Sequence, residues 1–170
     1  MHTHQIESDT TSVEQPGSAA YNRTQAGLAA WFKAGGRGLD TAWKYRNQIA
    51  YGDAVKAFMK ESGTPRSDIF ITTKIPCTGD TQKALDLVKE DVQKLGTTPD
   101  LVIIHGSGQI PPFAPGDPLY CWDPGSPMHP GDPFPRYLPC CKDIAGIQAT
   151  WAGLEQALEQ NLTRAIGVSK

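Results

Sequence analysis

Apolar positions along the chain follow two rhythms that take turns. Short, nearly continuous runs occur at Gly38–Ala42, Asp68–Thr73, Asp100–Ile104 and Ala165–Ser169. Between them lie stretches with helical spacing: Tyr21–Lys33 with Leu28, Trp31 and Phe32; Gln48–Glu61 with Val55, Phe58 and Met59; and Ala149–Asn161 with Trp151, Leu154 and Leu158. The clearest is Thr81–Leu95, where Leu85, Val88, Val92 and Leu95 mark one helical stripe. Stop signals follow these patterns at Gly35-Gly36, Ser62-Gly63 and Gly96, and Thr64-Pro65-Arg66-Ser67 reads as a turn. Ile69-Phe70-Ile71 and Leu101-Val102-Ile103-Ile104 are apolar throughout rather than alternating, as parallel strands covered on both faces are. The rhythm predicts an α/β fold of repeated strand–helix–strand units.

Ionisable residues stand at or near the downstream ends of these runs. Asp40 closes Gly38-Leu39-Asp40, Tyr45 follows five residues on, Lys74 ends Ile69-Phe70-Ile71-Thr72-Thr73-Lys74, and His105 ends Leu101-Val102-Ile103-Ile104-His105. Asp40 to Lys74 is 34 residues and Lys74 to His105 is 31, one strand–helix unit each. Parallel strands joined by right-handed crossovers bring all their C-terminal ends to one edge, neighbours about 4.8 Å apart. Such an edge is where α/β sheets and barrels keep their sites. An acid, a phenol, an amine and an imidazole there suit proton delivery to a carbonyl oxygen. A phenol is a poor acid at neutral pH, but a nearby ammonium favours the phenolate and turns the hydroxyl into a usable general acid. Lys74 is the cation, Asp40 holds it in place, and His105 donates to the same carbonyl oxygen. None of the four is an activated nucleophile, so the group that attacks the carbonyl carbon comes from elsewhere. A hydride from a reduced nicotinamide fills that gap. A Schiff-base lyase or isomerase built on Lys74 would leave Tyr45 and Asp40 without a part.

The combination resembles the aldo-keto reductase superfamily. The residues that carry the likeness are Gly38-Leu39-Asp40-Thr41-Ala42 with Tyr45, Asn47 and Gln48; Asp68 to Lys74; and Leu101 to His105. Trp151 with Leu154-Glu155, and Arg164-Ala165-Ile166-Gly167-Val168-Ser169, add to it. The resemblance implies a (β/α)8 barrel that reduces aldehydes and ketones with NADPH and needs no metal. It implies Asp40, Tyr45, Lys74 and His105 as the catalytic tetrad, with Tyr45 the proton donor. It further implies that Asp40, Thr41 and Ser169 contact the cofactor, and Trp43 is expected either to wall the substrate pocket or to pack against the barrel rim. Lys170 stands where the family normally has an asparagine, and the later strands of the barrel have no counterpart. The expectation is a truncated member: about four to five parallel strands of the barrel, residues 21–170, behind a disordered tail at 1–20. A half-barrel leaves unpaired edges, which invite self-association or a partner in place of catalysis.

Composition narrows the partners. Sixteen basic against 18 acidic residues, without a long run of either sign, give no case for nucleic acid or membrane binding. No apolar stretch reaches the roughly 20 residues that span a bilayer, and the polar first 20 residues do not read as a secretory signal. A reduced, cytoplasmic protein is expected. Ten of the 14 prolines fall between Gly106 and Gly146, which predicts an irregular insertion over 106–147, either a lid above the site or a passive insertion. Cys121, His129, Cys140 and Cys141 match no common zinc spacing, and Cys77 is expected to be an ordinary loop thiol.

Overall fold

The computed structural model describes residues 15–105 and 144–169. Within them helix α1 (Ala19–Lys33) precedes strand β1 (Gly38–Asp40), followed by α2 (Gln48–Ser62), β2 (Phe70–Ile75), α3 (Thr81–Leu95), β3 (Leu101–His105), α4 (Ile144–Glu159) and β4 (Ala165–Ser169). The strands form one parallel sheet in the order β1-β2-β3-β4. Local chemistry sets the helix ends. The Asp80 side chain accepts the Lys83 amide at 2.8 Å to start α3, and Ser18 accepts the Tyr21 amide at 3.1 Å to start α1. Gly63 and Gly96 stop α2 and α3 with φ of 70° and 62°, a left-handed conformation that glycine adopts without a Cβ penalty.

The expected elements are present, with differences at several of their boundaries. Strand β2 lies two residues downstream of its expected start. Asp68 ends a 3-10 turn at Arg66–Asp68 and Ile69 caps it, with the Arg66 guanidinium on the carbonyls of Ile69 and Thr98. Lys74 therefore sits inside the strand rather than after it. Helix α4 begins at Ile144, so residues 144–147 are helical and not part of the insertion; 106–143 lie outside the described residues. Residues 19 and 20, expected in the disordered tail, belong to α1. Finally, Trp31 and Leu158 are exposed although their spacing placed them on apolar faces. The Trp31 indole nitrogen donates to the Gly38 carbonyl at 3.0 Å and lies against Gly36, where a Cβ would stand 2.0 Å from the ring.

Helices cover one face of the sheet. Ile75, Val102 and Ile104 pack with Leu85, Val88 and Leu154 of α3 and α4. Leu39 and Ile71 pack with Leu28, Phe32, Val55 and Leu95 of the first three helices. Close approach needs small residues: a Cβ at Gly153 would meet Thr81 O at 2.5 Å, and one at Gly52 would meet Leu95 O at 2.2 Å. The alternate positions face the other way. Phe70 is 51 % exposed there, and Leu101, Ile103 and His105 are half-buried.

The edge of the sheet where β3 starts is held by Asp100, only 3 % exposed. Its carboxylate accepts the Ile71 amide, Arg66 Nη2 and Arg164 Nη1, each at 2.8 Å. Burial alone would raise its pKa, but the Ile71 amide and the two guanidiniums outweigh it and hold the carboxyl below its ordinary value. This knot ties the segments before β2, β3 and β4 together at the end opposite the ionisable cluster.

Candidate active site

The C-terminal ends of β1, β2 and β3 bring the four ionisable residues together. Asp40 ends β1, and Ala42 leads into a 3-10 turn, Trp43–Tyr45, which carries the phenol back over the sheet edge. Arg46 then takes a left-handed φ of 55° and redirects the chain into α2. Lys74, 8 % exposed, donates from Nζ to Asp40 Oδ1 and, at 3.0 Å, to the Thr41 carbonyl. The same ammonium lies 4.9 Å from the centre of the Tyr45 ring. His105 stands edge-on to Tyr45, ring centres 5.5 Å apart and planes at 89°. The Asp40 side chain is 65 % exposed and Tyr45 is 45 % exposed. An anchored, desolvated amine thus faces an open carboxylate and a phenol that a ligand can reach.

The remaining expected site residues are placed differently from one another. Ser169 ends β4 in register with His105, and its hydroxyl donates to the Ile104 carbonyl at 3.3 Å. Thr41 is fully buried, its hydroxyl donating to Asn47 Oδ1 at 2.5 Å. Trp43, 8 % exposed, lies in the core cluster with Ile75 and Leu87. Its indole nitrogen donates to Glu90 Oε2 at 3.3 Å, and the Arg46 guanidinium covers its ring at 4.1 Å. Those contacts pack it at the rim of the sheet. Cys77 is not the ordinary loop thiol expected: it is disulfide-bonded. Cys121, His129, Cys140 and Cys141, whose spacing fits no common zinc site, lie outside the described residues.

Three residues to which the sequence assigned no role also shape the site. Tyr51 on α2 neighbours it: burial first, then the charges of Asp40 and Tyr45, push its phenol up. Gln48, at the first position of α2, and Asp91, on α3, are both fully buried and joined at 2.7 Å through Gln48 Nε2 and Asp91 Oδ1. The signal for Asp91 was present. It lies three residues after Val88 on the inward stripe of α3, where an unpaired carboxylate is costly.

The model of the Aldo/keto reductase family matches residues 9–170. The chain belongs to the aldo/keto reductase family. Among its relatives is a rat protein, aldo-keto reductase family 1 member C15, 30 % identical over 160 residues. That match takes in 93 % of this chain and 44 % of the rat protein. An NAD(P)H-dependent D-xylose reductase of the fungus Pyricularia oryzae is 32 % identical over 139 residues, covering 81 % of this chain and 40 % of the fungal one. An aldo/keto reductase from Brucella melitensis superimposes with a TM-score of 0.60 at 26 % identity, over 88 % of this chain and 45 % of that one. A silkworm aldo-keto reductase solved with NADP has the same fold, with a TM-score of 0.63 at 21 % identity over 92 % of this chain and 43 % of its own. The chain thus spans less than half the length of these family members, and its four-stranded sheet is part of a (β/α)8 barrel.

Proposed function

We propose that this chain supplies the reacting groups for reduction of an aldehyde or ketone to an alcohol, with NADPH as the hydride source. The observation that carries the reading is the position of the Lys74 ammonium, bound to Asp40 and to the Thr41 carbonyl and 4.9 Å from the Tyr45 ring. As negative charge grows on a substrate carbonyl oxygen, the Tyr45 hydroxyl delivers a proton to it. Lys74 stabilises the phenolate left behind, and Asp40 keeps Lys74 charged and fixed. His105, beside the Tyr45 ring, donates to the same oxygen and orients the substrate.

The residues present fit the nicotinamide end of the cofactor. The Asp40 carboxylate is open, and the Ser169 hydroxyl lies one strand beyond His105 on the same edge. Thr41 takes part by holding Lys74 through its carbonyl. NADPH supplies, when bound, the hydride that enters the carbonyl carbon. The names of the Pyricularia oryzae and silkworm relatives, one NAD(P)H-dependent and one bound to NADP, support this cofactor.

The test is a fluorescence titration of NADPH with the full chain, together with turnover of an aromatic aldehyde. Tyr45→Phe is expected to lower turnover by about 100-fold or more while the thermal midpoint stays in place. A fully active Tyr45→Phe variant would sink the mechanism. A second reading rests on a separate observation: among the described residues β1 and β4 have no outer neighbour, and Phe70 and Val168 are 51 % and 59 % exposed. On that reading the chain acts through self-association or a partner that covers this surface.

A further inference from the structure

The groups around Lys74 close into a ring. Lys74 Nζ donates to the Thr41 carbonyl at 3.0 Å, and Thr41 Oγ1 donates to Asn47 Oδ1 at 2.5 Å. Asn47 is joined by a peptide bond to Gln48, whose Nε2 donates to Asp91 Oδ1 at 2.7 Å. Asp91 Oδ2 accepts the Thr73 hydroxyl at 2.5 Å, and Thr73 is joined by a peptide bond to Lys74. Asp91 is the one member that comes from α3. It bridges the strand that carries the amine and the segment that carries Asp40 and Tyr45, and nothing in the proton delivery described above uses it.

We propose that Asp91 is a positioning residue: from the helix layer, its carboxyl holds Thr73 and Gln48 and thereby sets Lys74 against Asp40 and Tyr45. The inference rests on the reading of these residues as a catalytic site, but the arrangement is measurable without turnover. A carboxyl in this place is also sensitive to protons. Burial raises its pKa to about 6, against the opposing bonds from Thr73 and Gln48. Glu90 raises it further and Lys94 lowers it, both from its own helix; β2 and α2 present Thr73 and Gln48, which do not titrate. The ionised carboxylate accepts both bonds. The neutral form carries a hydrogen that needs an acceptor, and Gln48 Oε1 is buried without a partner among the described residues. Turning the Gln48 amide over would pair the two, so the state of Asp91 decides which end of that amide faces it.

The experiment is an NMR titration of the full chain from pH 5 to 8. It follows the Asp91 carboxyl carbon and the backbone amides of Thr41, Gln48, Thr73 and Lys74. All five are expected to share an inflection near pH 6. Histidine side chains ordinarily change charge in this pH range, so the titration is repeated in Asp91→Asn and in His105→Gln. The shared inflection should disappear from the first and survive in the second. Thr73→Val, which cuts only the strand link, should keep the inflection at Gln48 and lose it at Lys74. That variant, with the unsubstituted chain, decides the matter if Asp91→Asn does not fold. An Asp91 inflection confined to Gln48 and Thr73, or amide inflections unchanged by Asp91→Asn, would overturn the proposal. Loss of aldehyde turnover with the NMR coupling intact would instead count against the catalytic reading and leave this one standing.

Discussion

Two buried aspartates, Asp100 and Asp91, do opposite things to stability because their surroundings differ. Asp100 meets two guanidiniums and a backbone amide, which hold its carboxyl below its ordinary value in the fold. A depressed folded value means that the unfolded chain binds the proton more readily. Its contribution is therefore complete above the unfolded carboxyl value and is lost as pH falls through the folded one. Asp100→Ala leaves Arg66 and the Ile71 amide without their acceptor and is expected to cost about 3 kcal/mol, read from urea midpoints at neutral pH. That difference should shrink in acid. Asp91 has the reverse sign, its value raised by burial to about 6. The folded chain then holds a proton that the unfolded chain releases, so this residue lowers stability as pH rises from about 4 to about 6 and adds no slope beyond. Asp91→Asn should remove that slope from a series of unfolding midpoints, and a slope that persists would assign it to another group.

At the scale of elements, the helices hold their places through close backbone contacts as much as through apolar stripes. Gly52 lets α2 cross the end of α3, where a Cβ would stand 2.2 Å from the Leu95 carbonyl oxygen. A backbone atom cannot swing aside as a side chain can. Gly52→Ala is expected to destabilise the fold by about 1–3 kcal/mol despite the better helix propensity of alanine. Gly27, also in a helix, has nothing within 4 Å of its Cβ position, so Gly27→Ala should be neutral or slightly stabilising. Equal losses from the two, measured by thermal unfolding, would show that helix propensity and not packing decides. The pitch of the α3 stripe was legible because Leu85, Val88 and Leu95 repeat at helical intervals. The start of β2 was not, because Arg66, bound to the nearby Ile69 carbonyl and to the distant Thr98 carbonyl, holds a turn that delays the strand by two residues.

For the whole molecule, the sheet is covered on one side only among the described residues. Its other face presents Phe70, with Leu101 and Ile103 half-buried, and among the described residues neither outer strand has a further neighbour. Exposed apolar area of this kind next to free strand edges favours association. Multi-angle light scattering of the chain is expected to show mass rising with concentration, and Phe70→Glu should lower it. A compact monomer at all concentrations would dismiss association as a role and leave the catalytic reading untouched.

The order of strands and helices, and the ionisable residues at the strand ends, followed from sequence. Apolar period reports local geometry, and parallel connection forces strand ends onto one edge. Asp40, Tyr45, Lys74 and His105 could be gathered on that ground, and the family match covers the same segments. What those four residues touch was decided only by the tertiary structure. Trp43 turns into the core and Thr41 is sealed beneath the edge. Asp91 reaches the site from a helix 17 residues beyond Lys74, because Thr73 and Gln48 lie across from it in space. Chain spacing records which element a residue belongs to. The direction of its side chain, and the partner it finds there, depend on how separate elements pack.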